Sequence, residues 1–102
     1  MLKEETWQTY SLKIEFNSIK VEKVTITEHY QEKHSKVIND ELILKILENN
    51  LNGKRITPDL SYLKKDIFVW TTNFQEKNYR LIFWYDNEDK SILWIKNCYR
   101  KN

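Results

Sequence analysis

Tyr79-Arg80-Leu81-Ile82-Phe83-Trp84-Tyr85, Asp86-Asn87-Glu88-Asp89-Lys90 and Ser91-Ile92-Leu93-Trp94-Ile95-Lys96-Asn97-Cys98-Tyr99-Arg100 form the stretch that decides the fold. Two runs rich in aromatic and β-branched residues flank a polar link, the pattern of a β-hairpin. With Asp86 to Lys90 as the loop, Tyr85 faces Ser91, Phe83 faces Leu93 and Leu81 faces Ile95. Side chains alternate along a strand, so these share a face with Tyr79, Asn97 and Tyr99. That face is apolar at its centre and is expected to lie against helices. The other carries Arg80, Ile82, Trp84, Ile92, Trp94, Lys96, Cys98 and Arg100. Rings interleaved with cations suit stacking on bases and neutralising phosphates. The same pattern arises where Trp84 and Trp94 are ordinary cross-strand partners and the cations form a solvated rim.

Upstream of this hairpin, Leu12, Ile14 and Phe16 alternate, Asn17-Ser18 is a turn signal, and Ile19 and Val21 alternate after it. Val24 and Ile26 resume the pattern after a one-residue shift at Glu22-Lys23, the mark of a bulge. An opening hairpin is therefore expected. Glu28 to His34 reads as a short helix capped by Thr27. Asn39 or Asp40 caps a second helix, where Leu42, Ile43, Ile46, Leu47 and Leu51 form one apolar stripe. Glu41 favours the positive end of its dipole, and Gly53 suits a left-handed C-terminal cap. Asp66 to Phe74 reads as a strand. The expected order is ββααβββ: an α+β domain with a mainly antiparallel sheet and two short helices packed on one face. Residues 1–102 are expected to make a single domain, since the only glycine and proline, Gly53 and Pro58, mark a boundary between elements.

Composition narrows the function. The chain of 102 residues is 40% hydrophobic and 31% charged, enough for one core built without alanine. A formal charge of +2 is too small to name a nucleic-acid partner by itself. Position says more: Arg80, Lys96, Arg100 and Lys101 converge on one region. Cys98 is the only cysteine, which excludes an internal disulfide and favours a reducing compartment. The acidic start Met1-Leu2-Lys3-Glu4-Glu5-Thr6-Trp7 does not read as a signal peptide. No run approaches the roughly 20 apolar residues of a membrane span. A soluble cytoplasmic protein with no membrane contact is the expectation.

The chemistry-bearing residues are few. On a helix, His29 and Lys33 share a face, as do Tyr30 and His34, because each pair is four apart. His29 and His34 are five apart, about 140° around a helix, so no metal site is expected from them. No cofactor is expected either: one glycine cannot build a phosphate-binding loop. Brought against Arg80 or Arg100, His29 and Lys33 would suit metal-independent RNA cleavage. A base takes the 2′-hydroxyl proton, that oxygen attacks phosphorus, cations stabilise the added charge and an acid protonates the leaving 5′-oxygen. Histidine suits base or acid, with an ordinary pKa of about 6.5. Both histidines equally suit a solvated helix surface.

Ile26-Thr27-Glu28-His29-Tyr30-Gln31-Glu32-Lys33-His34 resembles the strand-to-helix entry of small ribonuclease toxins of the barnase-, EndoU- and RelE-like superfamily. Ile38-Asn39-Asp40-Glu41-Leu42-Ile43-Leu44-Lys45-Ile46-Leu47 resembles their second helix, and Tyr79 to Phe83 and Trp94 to Arg100 their closing strands. The resemblance covers roughly Val24 to Arg100. It implies a metal-independent endoribonuclease-like toxin acting on RNA, or an inactive relative, with His29, Arg80 and Tyr99 as catalytic residues, Lys33 and Asn97 in support on the RNA, and a cognate antitoxin as partner. The aromatic-basic face adds Trp84, Trp94, Lys96 and Arg100 as RNA-binding candidates. Strict alternation sets Tyr99 and Asn97 on the opposite face from Arg80 and Arg100, so their convergence requires a twist or bulge near Asn97. Two rival functions remain open. One is a non-enzymatic module, such as a phage or mobile-element protein that blocks a host protein through its aromatic-basic face. The other is binding of single-stranded nucleic acid without cleavage. The strand Thr9 to Phe16, at an edge, also suits pairing between subunits.

Overall fold

The structure, a computed structural model, describes residues 7–27, 38–59 and 66–101. Among them are five strands, β1 (Trp7–Phe16), β2 (Ile19–Thr27), β3 (Phe68–Phe74), β4 (Lys77–Tyr85) and β5 (Ile92–Arg100), and one helix, α1 (Asp40–Ile46), which runs on through a π turn at Leu47–Leu51. The expected helix at Glu28 to His34 lies outside the described residues. No helix of the described residues is long and apolar enough to cross a membrane.

The α+β class and the two hairpins are as expected. The sheet has the order β1-β2-β5-β4-β3. Its β1–β2, β5–β4 and β4–β3 pairings are antiparallel, but β2 and β5 run parallel, so the sheet is mixed. The parallel seam follows from inserting β5 beside β2 after the excursion through α1. Two tight turns close hairpins with consecutive positive φ angles: Asn17 and Ser18 (52° and 65°) and Gln75 and Glu76 (51° and 67°). Such turns match strand twist. The first announces itself through Asn17, whereas Gln75-Glu76 lacks the usual Asn or Gly.

The expected bulge in the first hairpin is present. The β1–β2 register shifts between the pairs Ser11–Lys23 and Ile14–Val21. Glu22 and Lys23 both turn their N–H groups to one acceptor, the Ser91 carbonyl (2.7 and 3.1 Å). Val21 and Val24, three apart, are thereby both buried.

The sheet curls strongly. Five flat strands would hold the edge strands about 19 Å apart, at about 4.8 Å per strand. Yet Phe16 on β1 and Phe68 on β3 pack edge to face with ring centroids 4.9 Å apart. Phe83 and Tyr85 complete the cluster, stacking on Phe68 and Phe16 at 5.5 Å each, and the Tyr85 hydroxyl donates to the Phe16 carbonyl (2.7 Å). The concave face thus holds the core, to which α1 adds Ile43, Ile46, Leu47 and Leu51. The helix starts at Asn39, whose side chain accepts the Leu42 N–H (2.8 Å), as the capping rule requires.

The C-terminal end of α1 seals both sheet edges. Asn50 reaches β3, donating to Thr72 Oγ1 (2.8 Å) and the Asn73 carbonyl (2.7 Å). Asn52 accepts the Glu15 N–H of β1 (2.9 Å), and the Gly53 N–H donates to the Glu15 carbonyl (2.6 Å). Gly53 has φ +84°, the left-handed conformation expected of it. The wide turn supplies this reach. The Asn49 amide occupies the Lys45 carbonyl (2.8 Å), and the Asn52 N–H returns to Leu47, five residues back (3.2 Å). The edge of β1 is therefore covered near Glu15 to Asn17.

Candidate nucleic-acid interface

Strand β5 decides which residues meet. From Ile92 to Ile95 it alternates simply: Leu93 pairs with Tyr85 and Ile95 with Phe83, all toward the core, while Trp94 pairs with Trp84 on the convex face. These pairs differ by two positions from the expected Tyr85–Ser91 and Phe83–Leu93. Ser91 belongs to the loop, where the Asp89 carboxylate accepts its N–H (2.9 Å) and hydroxyl (2.6 Å). These bonds hold the Asp89 carboxyl below the usual carboxylate range. The Asp86 carboxylate in turn accepts the N–H groups of Glu88 and Asp89 (3.1 Å each). A slip of two leaves each side chain on its face.

A second irregularity does change faces. Phe83 pairs with Ile95 but Ile82 with Asn97, so Lys96 is an extra residue, a bulge. Beyond it Cys98 pairs with Leu81 and turns into the core, where it is fully buried. Burial pushes its thiol up to about 12, so it is a protonated core residue at neutral pH. Its expected place beside Arg80 is thus corrected. Tyr99 instead pairs with Arg80, and Asn97 shares their face. Arg100, expected with Arg80, pairs with Tyr79 and leaves that face.

The bulge is held from both sides. The Thr27 hydroxyl donates to the Lys96 carbonyl (3.0 Å), and the Asn97 side chain accepts the Cys98 N–H (2.9 Å). Asn97 therefore shapes the strand as well as lining the face. Arg80 is steadied by Thr71, whose hydroxyl accepts from its Nε (3.2 Å). Cross-strand partners hold their Cβ atoms about 5 Å apart, so Arg80 and Tyr99 are neighbours on this face, with the Arg80 Nε turned to β3. His29 and Lys33 lie outside the described residues.

Aromatic rings lie elsewhere on the convex face. Trp94 donates its indole N–H to Asp86 (2.8 Å) and meets Trp7 edge to face, centroids 5.8 Å apart. Trp7, at 54% exposure, is the exposed large hydrophobic residue of the described chain. Beneath this pair, Thr9 and Thr25 share a hydroxyl hydrogen bond (3.0 Å). Trp7 was not among the residues singled out from sequence. The alternation back from Phe16 sets it on the convex face, but only the parallel β2–β5 seam brings it to Trp94. Strands β3, β4 and β5 contain no Asp or Glu, against Lys77, Arg80, Lys96 and Arg100. A shallow cleft of about 210 Å³ lined by Glu15, Ser18, Gly53, Lys54 and Arg55 lies at the other end of β1, with Arg55 donating to Ser18 (2.8 Å). It shares no residue with this face.

Searches against protein-family models, curated proteins and solved structures returned no match for this chain. The resemblance to ribonuclease toxins rests on its residues alone.

Proposed function

We propose that the chain is a cytoplasmic, metal-independent endoribonuclease-like toxin that acts on single-stranded RNA and is neutralised by a cognate antitoxin. The observation that supports this reading best is the bulge at Lys96, which sets Tyr99 and Asn97 on the face of Arg80. Strict alternation would have kept them apart. In this reading the Arg80 guanidinium stabilises the charge that builds on the phosphate as the ribose 2′-oxygen bonds to phosphorus. The bond from phosphorus to the 5′-oxygen breaks. His29 takes the 2′-hydroxyl proton, and the Tyr99 hydroxyl donates toward the departing oxygen. Trp84, Trp94 and Lys96 hold the neighbouring nucleotides, the rings by stacking and the cation by charge.

The test is incubation of the purified protein with end-labelled single-stranded RNA in EDTA, beside a His29→Ala/Arg80→Ala double variant. Cleavage by the parent alone, leaving 2′,3′-cyclic phosphate ends, is the expected result. Cleavage that persists in the double variant would sink the mechanism. Intact RNA with folded protein would point instead to a non-enzymatic module that uses the same face on a host protein.

A further inference from the structure

We propose that Trp7 and Trp94 form a base-stacking subsite, from which a single-stranded RNA crosses β1, β2, β5 and β4 toward Arg80; the choice of ligand rests on the ribonuclease-like reading above. Four observations carry it. Trp7, the first residue of β1, is more than half exposed, and an exposed indole is the kind of surface on which a base stacks. The Trp7 ring rests edge-on against Trp94 at an interplanar angle of 62°, which leaves it a face to offer. Trp94 is itself held by its bond to Asp86, so the pair is oriented before a ligand arrives. Finally, Arg80 lies on this face, with Lys96 in the bulge of the neighbouring strand. These two cations complement the phosphates of a strand stacked on Trp7.

The distances fit a short segment. Trp7 pairs with Thr27, whose hydroxyl reaches Lys96, so its row meets β4 near Ile82. Three strand spacings of about 4.8 Å and two residues of about 3.3 Å then separate Trp7 from Arg80. The path is on the order of 16 Å, about three nucleotides, just below the lower end of site sizes on small β folds. The subsite would therefore be felt by oligonucleotides of four or more and not by dinucleotides.

The experiment measures binding apart from cleavage, using fluorescein-labelled 2′-O-methyl oligouridines of two, four and six nucleotides, whose attacking oxygen is blocked. Fluorescence anisotropy at low salt would follow the parent, Trp7→Leu and Trp7→Tyr. Parent affinity should rise at least tenfold from two to six nucleotides, Trp7→Leu should flatten the rise, and Trp7→Tyr should keep most of it. Coincident thermal melts would show that all three fold. If Trp7→Leu tracks the parent at every length, the subsite is overturned even if natural RNA is cleaved. Trp7-dependent binding without cleavage of natural RNA keeps the subsite and removes the catalytic reading. Failure of the folded parent to bind any of these oligonucleotides overturns the subsite as well.

Discussion

The two faces of the curled sheet are both rich in aromatic rings, yet they use them oppositely. On the concave face Phe16, Phe68 and Phe83 are sealed from solvent and touch one another. Polar atoms enter only where a partner waits, as the Tyr85 hydroxyl meets the Phe16 carbonyl. On the convex face Trp7 is exposed, Trp94 keeps a polar tie to a loop carboxylate, and Arg80 lies across from a tyrosine. Aromatic content therefore does not separate core from binding surface. What separates them is whether the rings close on each other or remain interleaved with hydroxyls and cations.

The largest test of this contrast is Phe16→Ala. It empties the point where the sheet edges meet, and a buried Phe→Ala change costs about 3–5 kcal/mol. Urea denaturation should show a loss of that size. A loss below about 1 kcal/mol would mean that the two edges do not depend on this contact.

An intermediate effect is expected from raising the pH. The Tyr10 hydroxyl donates to Asp40 (2.5 Å), and this bond lifts its pKa from 10.0 to about 12. Burial lifts Tyr85 from 10.0 to about 12 and Cys98 from 9.0 to about 12. The unfolded chain releases these protons first, so the native state binds more of them. The stabilisation is complete below about pH 9 and declines as pH climbs toward 12. The urea midpoint should fall across that window, and Tyr10→Phe should soften the fall. A midpoint level to pH 11 would contradict it.

The smallest effect sharpens the boundary between the faces. Thr27→Val removes the hydroxyl that holds the Lys96 carbonyl, a loss of about 1 kcal/mol. If the bulge depends on this bond, amide exchange should quicken at Asn97 and Cys98 while Leu93 stays protected. Unchanged exchange at those amides would leave Asn97 as the sole support.

Much of this was legible in the chain. The first hairpin carries Asn17 at its turn and a parity slip at Glu22-Lys23, both read from local pattern. The stripe from Ile43 to Leu51, opened by Asn39 and closed by Gly53, specifies its helix within about fifteen residues. The bulge at Lys96 was legible only as a conflict, since Ile95, Lys96, Asn97 and Cys98 offer no glycine and no break in composition. Its supports are a threonine 69 residues away and a side chain bonding to its own neighbour's amide. The loop at Ser91 is hidden for a similar reason, because a serine starts a strand as readily as it ends a turn. The place of Trp7 is hidden in the sequence because its meeting with Trp94 depends on a parallel pairing between distant strands, which no local period announces.

That parallel seam also sets an order of events. The hairpin β1–β2 and the meander β3–β4–β5 each form from neighbouring residues, whereas Val24 must meet Leu93, 69 positions further along the chain. Closing so long a loop costs entropy before any contact repays it. Two preformed halves that dock along β2 and β5 are therefore the expected route, with seam closure as the slow step. Until β5 arrives, one edge of β2 is bare and Val21, Val24 and Ile26 lack their cover. A partner that recognised that transient edge would act on the nascent protein and spare the finished one.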